Sequence, residues 1–163
     1  MTANTVETKG TRIFFGNVNN SSEILQVACP TAVQGLGGAA DQIDITCLSS
    51  MEREYKQGLP NPGQVTIPVN FIPNSAAHQA LVALKDSGDT VSWLVALSDY
   101  TGAGPTTFDS DGRLVSPGPT ALEFLGYLAD FTFDLALNEI VRGTLTVQRS
   151  GEIRWDFPAA TQD

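Results

Sequence analysis

Histidine occurs once in these 163 residues, at His78, and cysteine twice, at Cys29 and Cys47. Most metal sites and hydrolase triads need several such groups placed together, so this scarcity argues against both chemistries. Neither Gly-x-Ser-x-Gly nor His-Glu-x-x-His is present. Gly35-Leu36-Gly37-Gly38 lacks the Lys-Ser/Thr of a phosphate loop and reads as a bend. Asp109-Ser110-Asp111-Gly112 opens like a calcium loop, but its glycine comes too early and Thr120 stands where the closing Glu belongs, so a turn is expected. Basic residues are scarce too: 9 against 18 acidic ones, for a formal charge of -9. That balance argues against binding to nucleic acid through its phosphates and against docking on anionic membranes. No apolar run reaches the roughly 18 residues of a helical membrane span. Met1 to Gly10 is polar and has no signal-peptide core, so synthesis and use in the cytoplasm are expected.

Alternation is abundant. From Leu125 to Leu137 the odd positions are Leu125, Tyr127, Ala129, Phe131, Phe133, Leu135 and Leu137, with Asp130, Thr132 and Asp134 between them. This period of two predicts a strand over Leu122–Leu137 with its odd residues in a core. A second strand over Ile140–Arg149 turns back along it, Val141, Leu145 and Val147 alternating with Arg142, Thr144, Thr146 and Gln148. A hairpin is marginal alone, and exposed strand edges invite further pairing. Such a chain is better equipped for assembly than for catalysis, and neither cofactor nor metal is expected.

Earlier segments repeat the theme. Residues 1–20 read as an N-terminal arm in which Ile13, Phe14 and Phe15 form a short strand or an anchor. Glu23–Cys29 predicts a strand closed by Pro30. Gln42–Leu48 predicts another, with Ile43, Ile45 and Cys47 inward, so both thiols are expected to be buried and reduced; spacing alone leaves a disulfide open. Gln64–Phe71 alternates Val65, Ile67, Val69 and Phe71, and Pro68 demands an edge or a bulge. Ala76–Ser87 is the one clear helix, capped by Asn74 or Ser75 and stopped by Gly88, with Ala77, Ala80, Leu81 and Leu84 as its buried stripe. His78, near its start, is expected at the surface or in a groove. Val91–Leu97 is apolar on both faces and predicts an interior strand covered on both sides. Residues 100–119 are too long for a plain loop and predict a small hairpin turning at 109–112. The order predicts a mainly β fold: a β-sandwich or open barrel with one flanking helix, spanning 21–157, with a short tail over 158–163.

Two features point beyond folding. Asp44, Asp130 and Asp134 lie opposite apolar strand faces, so they line either a solvated exterior or the wall of a channel. The segment Ser49–Gly63 is too long for a simple connection. It sets Met51, Tyr55 and Leu59 among Glu52, Arg53, Glu54 and Lys56, and returns through Pro60 and Pro62, as a docking loop would.

These pieces, in order, resemble the major tail tube proteins of long-tailed bacteriophages. The likeness lies in Asp44-Ile-Thr-Cys-Leu-Ser-Ser50, the charged loop ending in Gly58-Leu-Pro-Asn-Pro-Gly63, the strand that follows, Asn74-Ser-Ala-Ala-His-Gln-Ala-Leu81, and Gly143-Thr-Leu-Thr-Val-Gln-Arg-Ser-Gly151. It covers most of residues 20–155 and leaves the stretch 100–119 unaccounted for. The resemblance implies a virion protein whose rings, hexameric in the family, stack into a hollow tube with strands from every subunit in one inner barrel. It implies partners: the chain itself, and tape measure, tail terminator and baseplate or tail-tip proteins. Genomic DNA would pass through unbound, past Asp44, Asp130 and Asp134. Met51, Glu52, Arg53, Glu54, Tyr55, Lys56, Leu59, Pro60 and Pro62 would link ring to ring. Two other readings share the features: a monomeric β-sandwich that binds a glycan or peptide, and a ring protein of a contractile secretion system.

Overall fold

The structure, a computed structural model, describes residues 5–20, 23–100, 102–116 and 118–158. Its strands are β1 (Arg12–Gly16), β2 (Ile24–Gln26), β3 (Ala40–Asp44), β4 (Tyr55–Pro60), β5 (Gln64–Asn70), β6 (Thr90–Ala96), β7 (Ala121–Asp134) and β8 (Arg142–Asp156). One helix, α1 (Ala76–Ser87), lies between β5 and β6. Six strands form an antiparallel sheet in the order β2-β1-β6-β7-β8-β5, while β3 and β4 pair only with each other.

The six-stranded sheet is open but strongly curled. Ile13 and Phe15 of β1 share one core with Val65, Ile67 and Val69 of β5, although three strands, β6, β7 and β8, separate them in the sheet order. The stretch after β2 crosses this gap and bridges to the outer edge of β5, Pro30 opposite Val69 and Gln34 opposite Thr66. Gly35 permits the approach: its φ is 85°, and a Cβ there would lie 2.1 Å from the Gln64 carbonyl oxygen. Pro68 sits on β5, the terminal strand of the sheet, as its missing N–H requires.

Helix α1 covers the concave side. The Ser75 side chain caps its start, and Gly88 ends it in the left-handed region at φ 70°. Ala77 and Leu81 are buried in the core, with Ala80 and Leu84 packed at its margin. β6 is buried along both faces. Trp93 and Val95 face the main core, and Leu94 and Ala96 face a second one with Phe14, Leu114 and Ala121. Tyr100, Phe108 and Leu114 supply that second cover. Residues 108–114 fold as a small hairpin, Phe108 opposite Leu114, and Arg154 of β8 holds its turn at Asp109 (3.3 Å) and Asp111 (2.7 Å). The carboxyl of Asp111 is thereby held below its usual range.

Ile13, Phe14 and Phe15 form the short strand expected of them, as part of β1, an interior strand paired to β2 and β6. Other expectations need correction. Residues 1–4 and 159–163 lie outside the described residues. Before Ala129, the β7 side chains in the main core are Leu122, Phe124 and Leu128, not Leu125, Tyr127 and Ala129. Leu128 pairs with Val147 and Asp130 with Thr146, so one extra residue bulges at Ala129. That bulge reverses the alternation, and Phe131 joins the core from there on. His78 is fully buried rather than superficial. Its Nδ1 accepts from the Ile72 N–H (2.9 Å) and its Nε2 donates to the Ala28 carbonyl (2.8 Å), which makes it a neutral crosslink between α1 and two connecting segments. Both cysteines are free, and both are exposed rather than buried.

Candidate assembly interface

The segment from 40 to 60 is a protruding hairpin rather than a strand followed by a loop. β3 and β4 pair from Asp44–Tyr55 at the outer end to Ala40–Pro60 at the root. Ile43 and Ile45 alternate as expected, yet both are about half exposed because no core lies beneath this two-stranded unit. Leu48 and Met51 at the tip are fully exposed, and Leu59 nearly so. Of the residues expected to dock, Met51, Glu52, Arg53, Glu54, Tyr55, Lys56, Leu59 and Pro60 are exposed, and Pro62, beyond the root, is half-buried.

Local hydrogen bonds shape the tip. The Thr46 hydroxyl accepts from the Glu54 N–H (2.9 Å), and Asp44 accepts from the Thr46 N–H (2.9 Å). The Thr46 hydroxyl and N–H together hold the Asp44 carboxyl below its usual range. The Cys47 sulfur lies 3.3 Å from the Ser49 hydroxyl and 3.2 Å from that of Ser50. These contacts, Ser49 first, lower the thiol pKa from 9.0 to about 7.

A second apolar end was expected to be core. β7 has 14 residues and β6 only 7, and their pairing stops at Tyr127. Beyond that point Phe133 is half exposed and stacks on Phe131 (4.6 Å between centroids) and against Phe71 (4.9 Å). Leu135 and Leu137 in the turn are largely exposed, as is Ile140. The signal was available in the sequence: an apolar strand twice as long as its neighbour must overhang it.

The three aspartates expected to act together stand on separate sheets, Asp44 on the hairpin and the other two on β7. Asp130 forms an ion pair with Lys85 of α1 at 3.3 Å, and Asp134 lies opposite Arg142 in the ladder. Each β7 carboxylate therefore has a cationic neighbour.

Two overhanging hairpins with exposed apolar residues, carried by a well-packed curled sheet and its helix, leave apolar surface open to another chain. The chain belongs to the lambda-like phage tail tube family, whose model matches residues 4–159. It is a structural protein of the virion tail. It is 34% identical over 152 residues to Structural protein 3 of Pseudomonas phage PAJU2, across 91% of this chain and 92% of that one. Its fold is similar to that of a subunit in the tail of an empty gene transfer agent particle, refined with C6 symmetry (TM-score 0.68, 14% identity, covering 95% of this chain and 100% of the other). The SPP1 tail tube subunit is similar as well (TM-score 0.67, 8% identity, covering 96% and 81%).

Proposed function

We propose that this protein polymerises as stacked rings, six copies to a ring, into the tube through which the genome leaves the particle. The observation that carries the stacking is the β3–β4 hairpin. Its alternating apolar residues call for burial that the subunit itself does not provide, and a neighbouring ring does. The six-fold symmetry of the similar gene transfer agent tail supports the ring size. Residues Met51 to Leu59, with Pro60 and Pro62 stiffening the return, form the ring-to-ring link. The work is mechanical, without catalysis. The partners are further copies of the chain, the tape measure, tail terminator and baseplate or tail-tip proteins, and assembly takes place in the host cytoplasm.

Asp44, Asp130 and Asp134 are the candidate lumen residues. A wall without excess positive charge lets DNA slide, since the duplex carries one charge per about 1.7 Å of its axis. With Lys85 and Arg142 beside the β7 pair, the wall here is closer to neutral than to strongly acidic. Negative-stain electron microscopy of the purified protein tests the whole reading. Rings or tubes are expected; monomers at every concentration and salt level refute it.

A further inference from the structure

Arg149 carries a charge that no carboxylate among the described residues compensates. On β8 it follows Leu145 and Val147 on the buried face and is 5% exposed. One of its Nη atoms donates to the Gly37 carbonyl, and its Nε is buried with no acceptor among the described residues. It takes part in none of the ion pairs there, which belong to Lys85 and Arg154. A buried guanidinium without an anion is costly, and burial accordingly lowers its pKa. Beside it opens a cleft of about 400 Å³ lined by Leu36, Pro60, Pro62, Ile153 and Trp155. Glu152 also borders the cleft, but its carboxylate lies toward Arg154, 3.9 Å from Nε.

We infer that this cleft is a socket for a carboxylate at the tip of the β3–β4 hairpin of a second copy, from Glu52 or Glu54; the inference rests on the tube reading above. The chemistry matches on both sides. The socket offers apolar walls and one desolvated cation. The tip offers fully exposed Leu48 and Met51 beside two exposed carboxylates. Position matters as much. Pro60 and Pro62 place the socket at the root of the hairpin, and strands advance about 3.3 Å per residue, so a tip lies far from its own root. Tip-to-root contact is heterologous: every copy that docks still presents a free tip or a free socket, so the contact propagates along an axis. Closing the cleft with a carboxylate turns the unpaired cation into a desolvated, charge-assisted pair, so the stabilisation appears only on assembly.

The test compares Arg149→Met, the double variant Glu52→Gln/Glu54→Gln, and their combination with the wild type. Light scattering with electron microscopy gives the critical concentration for tube formation, and urea denaturation gives the stability of the unassembled subunit. Arg149→Met is expected to leave the subunit at least as stable as the wild type, because it removes an unpaired charge, while raising the critical concentration by about tenfold or more. The glutamine variant should show the same defect, and the combination should be no worse than either. Wild-type assembly by Arg149→Met overturns the socket, as do defects that multiply in the combination. If Arg149→Met fails to fold, the glutamine variant decides alone, since its residues are exposed: wild-type assembly overturns the inference. A wild-type protein that forms no tubes refutes the tube reading itself, and the socket with it.

Discussion

Replacing His78 with phenylalanine isolates what the buried imidazole contributes. The ring stacks on Phe71 with centroids 5.6 Å apart and planes within 10°, and phenylalanine preserves that contact. What disappears is the pair of hydrogen bonds to the Ile72 N–H and the Ala28 carbonyl. A fully buried backbone group left unpaired costs about 1–3 kcal/mol. Ile72 and Ala28 are themselves partly exposed, so water can reach their backbones and the low end of that range applies. The two losses together come to about 2–3 kcal/mol. For a domain of this size that is a fall in Tm of about 4–12 °C. His78→Ala should be worse, because it also empties an aromatic-sized site, as Phe→Ala changes do at about 3–5 kcal/mol. Urea denaturation followed by Trp93 emission suits the measurement, since Trp93 is fully buried between Phe15 and Phe124. It must be run where the protein is unassembled, because association adds its own stabilisation. A His78→Phe protein within about 0.5 kcal/mol of the wild type would refute the crosslink.

Three further outcomes are expected. Leu81→Ala, which truncates a fully buried helix residue, should cost about 2–5 kcal/mol in the same assay; no loss would mean that α1 is not packed on the sheet as described. Cys47 should alkylate with a midpoint near pH 7 because Ser49 and Ser50 favour its thiolate, and Ser49→Ala/Ser50→Ala should move that midpoint upward; an unchanged profile removes the hydroxyls as the cause. Changing Asp130 and Asp134 together to Lys should leave the fold intact and slow genome delivery, and normal infectivity with correctly assembled tails would remove both residues from the channel wall.

The hairpin at 40–60 shows where local pattern stops being informative. Ile43 and Ile45 alternate as core residues do, and alternation states only that a face seeks burial, not whose surface supplies it. Cys47 follows the same parity and is likewise exposed. On β7 one bulged residue, Ala129, was enough to exchange the inner and outer faces of the preceding stretch, because the side-chain period is two. No composition or spacing marks such a residue.

Features governed by neighbours in the chain were legible from the residues alone. Ser75 and Gly88 bound the helix through local capping, Pro68 excluded an interior strand because it has no N–H, and the apolar run Val91–Ala96 required cover on both faces. The turn at 109–112 belongs to the same group, closed by bonds within five residues. Features that depend on partners distant in sequence were decided by the tertiary structure. The N-terminal Arg12–Gly16 became an interior strand through β6, and His78 was buried because Ala28 and Ile72 converge on its two ring nitrogens. Arg149 shares the parity of Leu145 and Val147, so its inward start could be read along the strand. That no carboxylate among the described residues meets it could not, since the groups around a side chain are set by how the sheet curls and brings distant segments together.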